Sequence, residues 1–145
     1  MIGLLQRVRH AQVDIQEKTV AEIGTGLLVL VGIEKEDTQA KADRLLQRLL
    51  GYRVFADDSG RMNLSVSDIS GGLLLVPQFT LAADTQKGMR PGFSNSATPE
   101  QAEQLFDYLC KQARSNYKQL GFGVFGADMQ VSLTNDGPVT FSLNV

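Results

Sequence analysis

Two short segments of this 145-residue chain carry groups that could build a small reactive site. In Pro77-Gln78-Phe79-Thr80-Leu81, extended-strand alternation would put Gln78 and Thr80 on one face while Phe79 and Leu81 anchor the other. An amide and a hydroxyl side by side can orient an ester or a water. Taken alone, the pair reads first as cross-strand hydrogen-bonding residues on an exposed sheet face. The second segment is Thr134-Asn135-Asp136-Gly137-Pro138-Val139-Thr140. Asp-Gly between two alternating runs predicts a hairpin. Pro138 cannot donate to a strand ladder and belongs at an edge or turn. The Gly137-Pro138 peptide therefore presents two carbonyls with little side chain to cover them.

Scarce residue types narrow the chemistry. His10 is the sole histidine; it follows Arg9 near a predicted turn and reads as a surface residue rather than a base. Ser-His-acid and Cys-His machinery both need a histidine, and no Gly-x-Ser-x-Gly elbow is present. Cys110, the single cysteine, stands beside Leu109 in an amphipathic stretch and reads as a small core residue. No group of His, Cys and carboxylates has metal-ligand spacing, which argues against a catalytic zinc, and no cofactor is expected. Gly121-Phe122-Gly123-Val124-Phe125-Gly126 looks like a phosphate loop but precedes no helix; a helix stop plus a turn is the better reading. Asp57 and Asp58 precede Ser59-Gly60 and read as turn residues, not paired catalytic carboxylates.

The elements that must position these segments follow from periodicity. Ile2 to Val8, Ala11 to Ile15, Thr19 to Ile23 and the apolar run Leu27 to Ile33 read as strands, the last buried on both faces. Ala42, Leu45, Leu46, Leu49 and Leu50 recur at helical spacing, with Asp37 or Thr38 as cap and Gly51 as stop. Tyr52 to Phe55 and Met62 to Val66 flank a turn, and Gly72 to Thr80 is a long strand interrupted at Pro77. Residues 82–97, rich in glycine, proline and small polar residues, form a loop long enough to be functional. Thr98-Pro99-Glu100-Gln101 opens a second helix, whose stripe is Ala102, Leu105, Phe106, Leu109, Ala113 and Tyr117 and whose stop is Gly121. Asp128 to Thr134 and Val139 to Val145 close the chain as strands. Many strands and two separated helices predict a single α+β domain over residues 1–145, with a curled, barrel-like, largely antiparallel sheet.

Composition fits that reading. The chain is 43% apolar and 21% charged, ordinary for a globular protein, and no apolar run approaches the length of a membrane span. No basic region precedes the apolar N-terminal residues, so no signal peptide is read, and a single cysteine suits a reducing cytoplasm. A net charge of −2 argues against extensive nucleic-acid wrapping but allows the grip of a short single-stranded end. Arg7, Arg9 and His10, Lys87 and Arg90, and Lys111, Arg114 and Lys118 could each supply phosphate contacts, though a solvated face is the simpler account of each cluster.

Six segments in order resemble the D-aminoacyl-tRNA deacylases, from end to end of the chain. They are Gln6-Arg7-Val8, Gly26-Leu27-Leu28-Val29-Leu30, Gln78 to Asp84, Gly88-Met89-Arg90-Pro91, Asp128-Met129-Gln130-Val131 and Asn135 to Thr140. The family usually has serine before Gln-Phe-Thr, where this chain has Pro77. That difference removes a hydroxyl and a backbone N–H at the edge of the expected site.

The resemblance implies a cytoplasmic hydrolase that cleaves the ester between a D-amino acid and the terminal adenosine of tRNA. It would proofread chirality in translation, with the 3′ acceptor end of aminoacyl-tRNA as its partner. It also implies that Gly137-Pro138 is cis and projects into the active site of a second subunit, that Arg7 holds this corner, and that Met89 belongs with the substrate-binding residues. Gln78, Phe79 and Thr80 are the implied catalytic segment, with backbone N–H groups near Phe79 and Thr80 as oxyanion donors. Thr80 could be a nucleophile or could orient the ester while the ribose 2′-hydroxyl activates a water. A threonine with no visible base is poorly activated, which favours the second account. A rigid corner beside Cα would reject L side chains and admit D side chains and glycine. A homodimer with shared sites is expected. A simple acyl esterase and a non-catalytic tRNA-end module are the competing functions.

Overall fold

The structure, a computed structural model, describes residues 1–86 and 88–145. Lys87, one of the basic residues noted above, lies outside the described residues. In chain order the elements are β1 (Ile2–Ile15), β2 (Lys18–Ile23), β3 (Gly26–Gly32), α1 (Gln39–Gly51), β4 (Phe55–Ala56), β5 (Met62–Leu64), β6 (Gly72–Pro77), a 3₁₀ turn (Phe79–Ala82), α2 (Pro99–Asn116), β7 (Leu120–Phe122) and β8 (Gln130–Asn144).

β1 organises the main sheet. It is one long strand where two were expected, and it pairs antiparallel with β2, β3 and β8. The β3–β6 and β6–β7 pairs are parallel, so the sheet is mixed. Both parallel joins follow from helical crossovers, α1 between β3 and β6 and α2 between β6 and β7. The two ends of the path meet and curl the sheet into a nearly closed barrel: a Cβ on Gly121 of β7 would stand 3.4 Å from the Ala21 Cβ of β2. The α+β class with two helices is as expected.

Two apolar clusters form on opposite faces of the sheet. Leu5, Leu27, Val29, Leu73 and Leu75 pack against the helix stripes Ala42, Leu45, Leu46, Leu49 and Ala102, Leu105, Phe106, Leu109. Val8, Ala11, Val13, Leu28, Leu74 and Val76 form the other, and burial on both faces explains why β3 reads as an unbroken apolar run. Thr38 caps α1, accepting from the Lys41 N–H at 3.4 Å, and Thr98 caps α2, accepting from Gln101 at 3.3 Å. Asp37 has a different task. Its buried carboxylate accepts from the Met1 ammonium at 2.6 Å, the Glu34 N–H at 2.7 Å and the Lys41 ammonium at 3.0 Å.

Three sequence expectations change. α2 stops at Asn116 rather than near Gly121, because Tyr117 leaves the helix to donate its hydroxyl to the Val66 carbonyl at 3.0 Å and to that of Gly71. Gly121 lies within β7, where a Cβ would come within 2.9 Å of Leu74 Cδ1. The strand from Gly72 ends at Pro77, so residues 78–80 are not extended. Finally, no hairpin forms at residues 134–140. Both halves of β8 pair with β1 in the same direction, and the segment between Asn135 and Thr140 bulges out. From Gln6 to His10, four steps along β1 are matched by six along β8, from Thr140 to Thr134. The Asp-Gly signal marks a real excursion, but its flanking runs share one partner strand instead of each other.

Candidate functional site

After Pro77 the chain leaves the sheet. Gln78 N–H still donates to the Val31 carbonyl at 2.8 Å, then the backbone tightens into the 3₁₀ turn. Gly32 makes room for it, since a Cβ there would lie 2.8 Å from Leu81 Cβ. The first bond within the turn runs from Leu81 N–H to the Gln78 carbonyl at 3.3 Å. The N–H groups of Phe79 and Thr80 therefore precede the turn's own hydrogen bonding and stay available. The Gln78 side-chain amide donates to Thr80 Oγ1, which brings these two candidates together as expected, though by a turn and not by strand alternation. An amide takes up no proton, so this partner does not activate the hydroxyl as a nucleophile. Phe79 does not anchor from the opposite face; the residue is 60% exposed, and its ring centroid lies 5.3 Å from that of Phe93.

Beside the turn lies a groove of about 580 Å³. Pro77, Gln78 and Phe79 form one wall, Phe93 and Ala102 another, and Phe125 and Met129 a third. Phe93, Ala102, Phe125 and Met129 are site residues that sequence reasoning did not single out. The Met129 signal was present in the Asp128-Met129-Gln130-Val131 match, but nothing in the spacing joins residues 93, 102 and 125. In the loop that follows the turn, Asp84 and Gly92 exchange reciprocal backbone bonds at 2.7 and 2.9 Å, and Ala97 N–H donates to the Ile33 carbonyl at 3.1 Å. Met89, at the outer end of that loop, is fully exposed and does not line the groove.

The third feature is the bulge of β8. Asn135 closes its base: its amide donates to Thr140 Oγ1 at 2.8 Å and its side-chain oxygen accepts from Val139 N–H at 3.0 Å. Gly137 has φ +131°, a conformation that favours glycine, and the Gly137-Pro138 peptide is cis. Both residues are exposed. Arg7 lies beneath them, donating from Nε to the Asp136 carbonyl at 3.0 Å and from Nη1 to the Val54 carbonyl at 2.6 Å.

Within one chain the corner and the Gln78–Thr80 turn do not meet. Arg7 pairs with Leu27 and Leu27 with Leu73, while Pro77 lies four residues further along β6. That is about 13 Å along the strands and three strand spacings, about 14 Å, across them. His10 is exposed and lies outside the groove. Cys110 is buried, and burial pushes its thiol up to about 12, so it supplies no thiolate near neutral pH. Asp57 is a turn residue, accepting from Ser59 and Arg61 N–H groups at 2.9 and 3.0 Å.

Comparison with known proteins adds a consistent result. A family profile described as D-Tyr-tRNA(Tyr) deacylase matches residues 4–144. The D-aminoacyl-tRNA deacylase of Pseudomonas putida is 59% identical over 145 residues, covering 100% of both chains. That of Cellvibrio japonicus is 55% identical over 145 residues, covering 100% of this chain and 99% of the relative. Among solved structures, the c-Myc DNA Unwinding Element Binding Protein superposes with TM-score 0.96 at 39% identity, covering 100% of this chain and 99% of its own. A probable eukaryotic D-amino acid tRNA deacylase shares the fold, with TM-score 0.83 at 16% identity and 98% coverage of both chains.

Proposed function

Because this chain belongs to the D-Tyr-tRNA(Tyr) deacylase family, we propose that it hydrolyses the ester of D-aminoacyl-tRNA, and of glycyl-tRNA, while sparing L-aminoacyl-tRNA. The observation that carries the reading is the 3₁₀ turn at Phe79–Ala82 beside an aromatic-walled groove. The groove has the volume and the flat apolar walls to receive the terminal nucleoside. Its ester then lies over the turn, where the N–H groups of Phe79 and Thr80 receive the oxygen that becomes negative as the carbonyl is attacked.

Thr80 orients the ester in this scheme. The Gln78 amide holds its hydroxyl, and no titratable side chain among the described residues is hydrogen-bonded to it. Water adds to the carbonyl carbon while the neighbouring ribose 2′-hydroxyl positions it and relays its proton. The ribose oxygen of the ester then leaves as a hydroxyl, and free amino acid departs. An activated ester needs little more than this orientation and polarisation.

Handedness is read by Gly137-Pro138, supplied to the groove by a second copy of the chain in a homodimer. The separation of corner and turn within one chain supports this arrangement, because neither half is complete by itself. Met89, exposed beyond the groove, would touch the RNA or the second copy. A DNA-binding reading, which the name of one structural relative would suggest, gains no support from a net charge of −2.

Incubation with D-tyrosyl-, L-tyrosyl- and glycyl-tRNA and with a free D-tyrosine ester tests the proposal. Release of amino acid from the first and third substrates only is the expected result. Cleavage of the free ester at a similar rate would make the protein a general esterase. Binding without release would make it a tRNA-end module.

A further inference from the structure

Asp136 precedes the Gly137-Pro138 corner and lies between two arginines. Its carboxylate has one oxygen 3.3 Å from Arg7 Nε and the other 3.1 Å from Arg9 Nε. Its carbonyl also accepts from Arg7 Nε, at 3.0 Å. The three side chains differ in exposure: Arg7 is 15% exposed, Asp136 34% and Arg9 75%. The Arg9 contact is therefore the more solvated and weaker of the two, whereas the Arg7 contact works in a drier setting.

Arg7 is tied at its far end to the Val54 carbonyl at 2.6 Å, just before β4, and a Cβ on Gly137 would lie 3.0 Å from its Nη2. The corner thus rests on the guanidinium itself. Without Asp136 that half-buried cation would retain only carbonyl oxygens as acceptors, and its fork would no longer be fixed in the plane that supports Gly137.

We propose that Asp136 is a positioning residue for chiral selection: its carboxylate locks Arg7 against Val54 and thereby sets where the Gly137-Pro138 carbonyls point. Arg9 is an outer brace on the same carboxylate. Asp136 touches no substrate in this arrangement and acts through Arg7 and the backbone that follows it. The proposal rests on the reading of the corner as the chirality filter.

The test compares wild type with Asp136→Ala, Asp136→Asn and Arg9→Glu in the full chain, measuring kcat and KM on D- and L-tyrosyl-tRNA together with the thermal midpoint. Removing a charge-assisted contact of this exposure predicts about a tenfold fall in the D-to-L ratio of kcat/KM for Asp136→Ala, with KM for the D substrate nearly unchanged. Asp136→Asn keeps an oxygen for Arg7 and should recover part of the ratio. Arg9→Glu is too exposed to unfold the protein and should lower the ratio by repelling Asp136. A wild-type ratio in both Asp136→Asn and Arg9→Glu overturns the proposal, as does a loss in Asp136→Ala that tracks the thermal midpoint alone. A wild-type protein that fails to discriminate D from L removes the underlying reading of the corner, which is a different failure.

Discussion

At the scale of single residues, the predictions concern what Thr80 and Gly137 do. If Thr80 orients the ester, Thr80→Ser retains most activity and Thr80→Ala loses about tenfold, the worth of one well-placed hydrogen bond. Rapid-quench mass spectrometry checks this: a covalent aminoacyl-Thr80 species would establish the nucleophilic route instead. Gly137→Ala adds a Cβ at φ +131°, only 2.8 Å from Val139 Cγ2 and 3.0 Å from Arg7 Nη2. Strain of about 1–3 kcal/mol at such a position displaces the corner. Hydrolysis of D-tyrosyl- and glycyl-tRNA should therefore fall together, by about tenfold or more, in a steady-state assay. Pro77, where the resemblance implies serine as the usual residue, faces the groove between Val76 and Gln78. The polar pair beyond it is intact, so Pro77→Ser should change the rate on D-tyrosyl-tRNA by less than about tenfold.

Among elements, the most exacting local arrangement lies before α1. Asp37→Ala strips the Met1 ammonium and the Lys41 side chain of their shared acceptor and leaves the Glu34 N–H unpaired. A broken buried ion pair costs about 3–5 kcal/mol, so thermal unfolding should show a drop in Tm of about 10 °C or more. How far the elements were legible depended on what fixed them. α1, α2 and β3 were readable because an apolar stripe with a cap, or an unbroken buried run, is a local signal. β7 was not: three residues owe their strand pairing to Leu73–Leu75 of β6, almost fifty positions earlier. The end of β6 at Pro77 was flagged by the proline, yet the turn that follows depends on the space left by Gly32. The candidate site shows the same division. Gln78 and Thr80 were identified together because they are neighbours in sequence, whereas the groove walls from Phe93, Ala102 and Phe125 meet only through tertiary packing.

At the scale of the whole molecule, the sheet holds the corner and the turn at fixed places too far apart for one chain to use both. A mixed population of Thr80→Ala and Gly137→Ala chains tests the consequence. If two copies share their sites, each parent is impaired but a mixed dimer holds one site with both defects and one with neither, so activity should return on mixing. The bulge of β8 carries a further consequence. Its surplus over β1 is two residues, and the halves on either side serve different faces: Val131 and Leu133 pack with Val8 and Ala11, whereas Val139 and Leu143 pack into the cluster under the helices. The corner is an insert between two stretches that each pair with β1 in constant register, Ile2–Gln6 and His10–Asp14. If the corner reads handedness, excising Gly137 and Pro138 together should leave a folded chain that no longer separates D- from L-tyrosyl-tRNA, checked by thermal unfolding beside the hydrolysis assay. Because the pairing on either side lies outside the bulge, a lineage could exchange this loop without rebuilding the barrel that carries it.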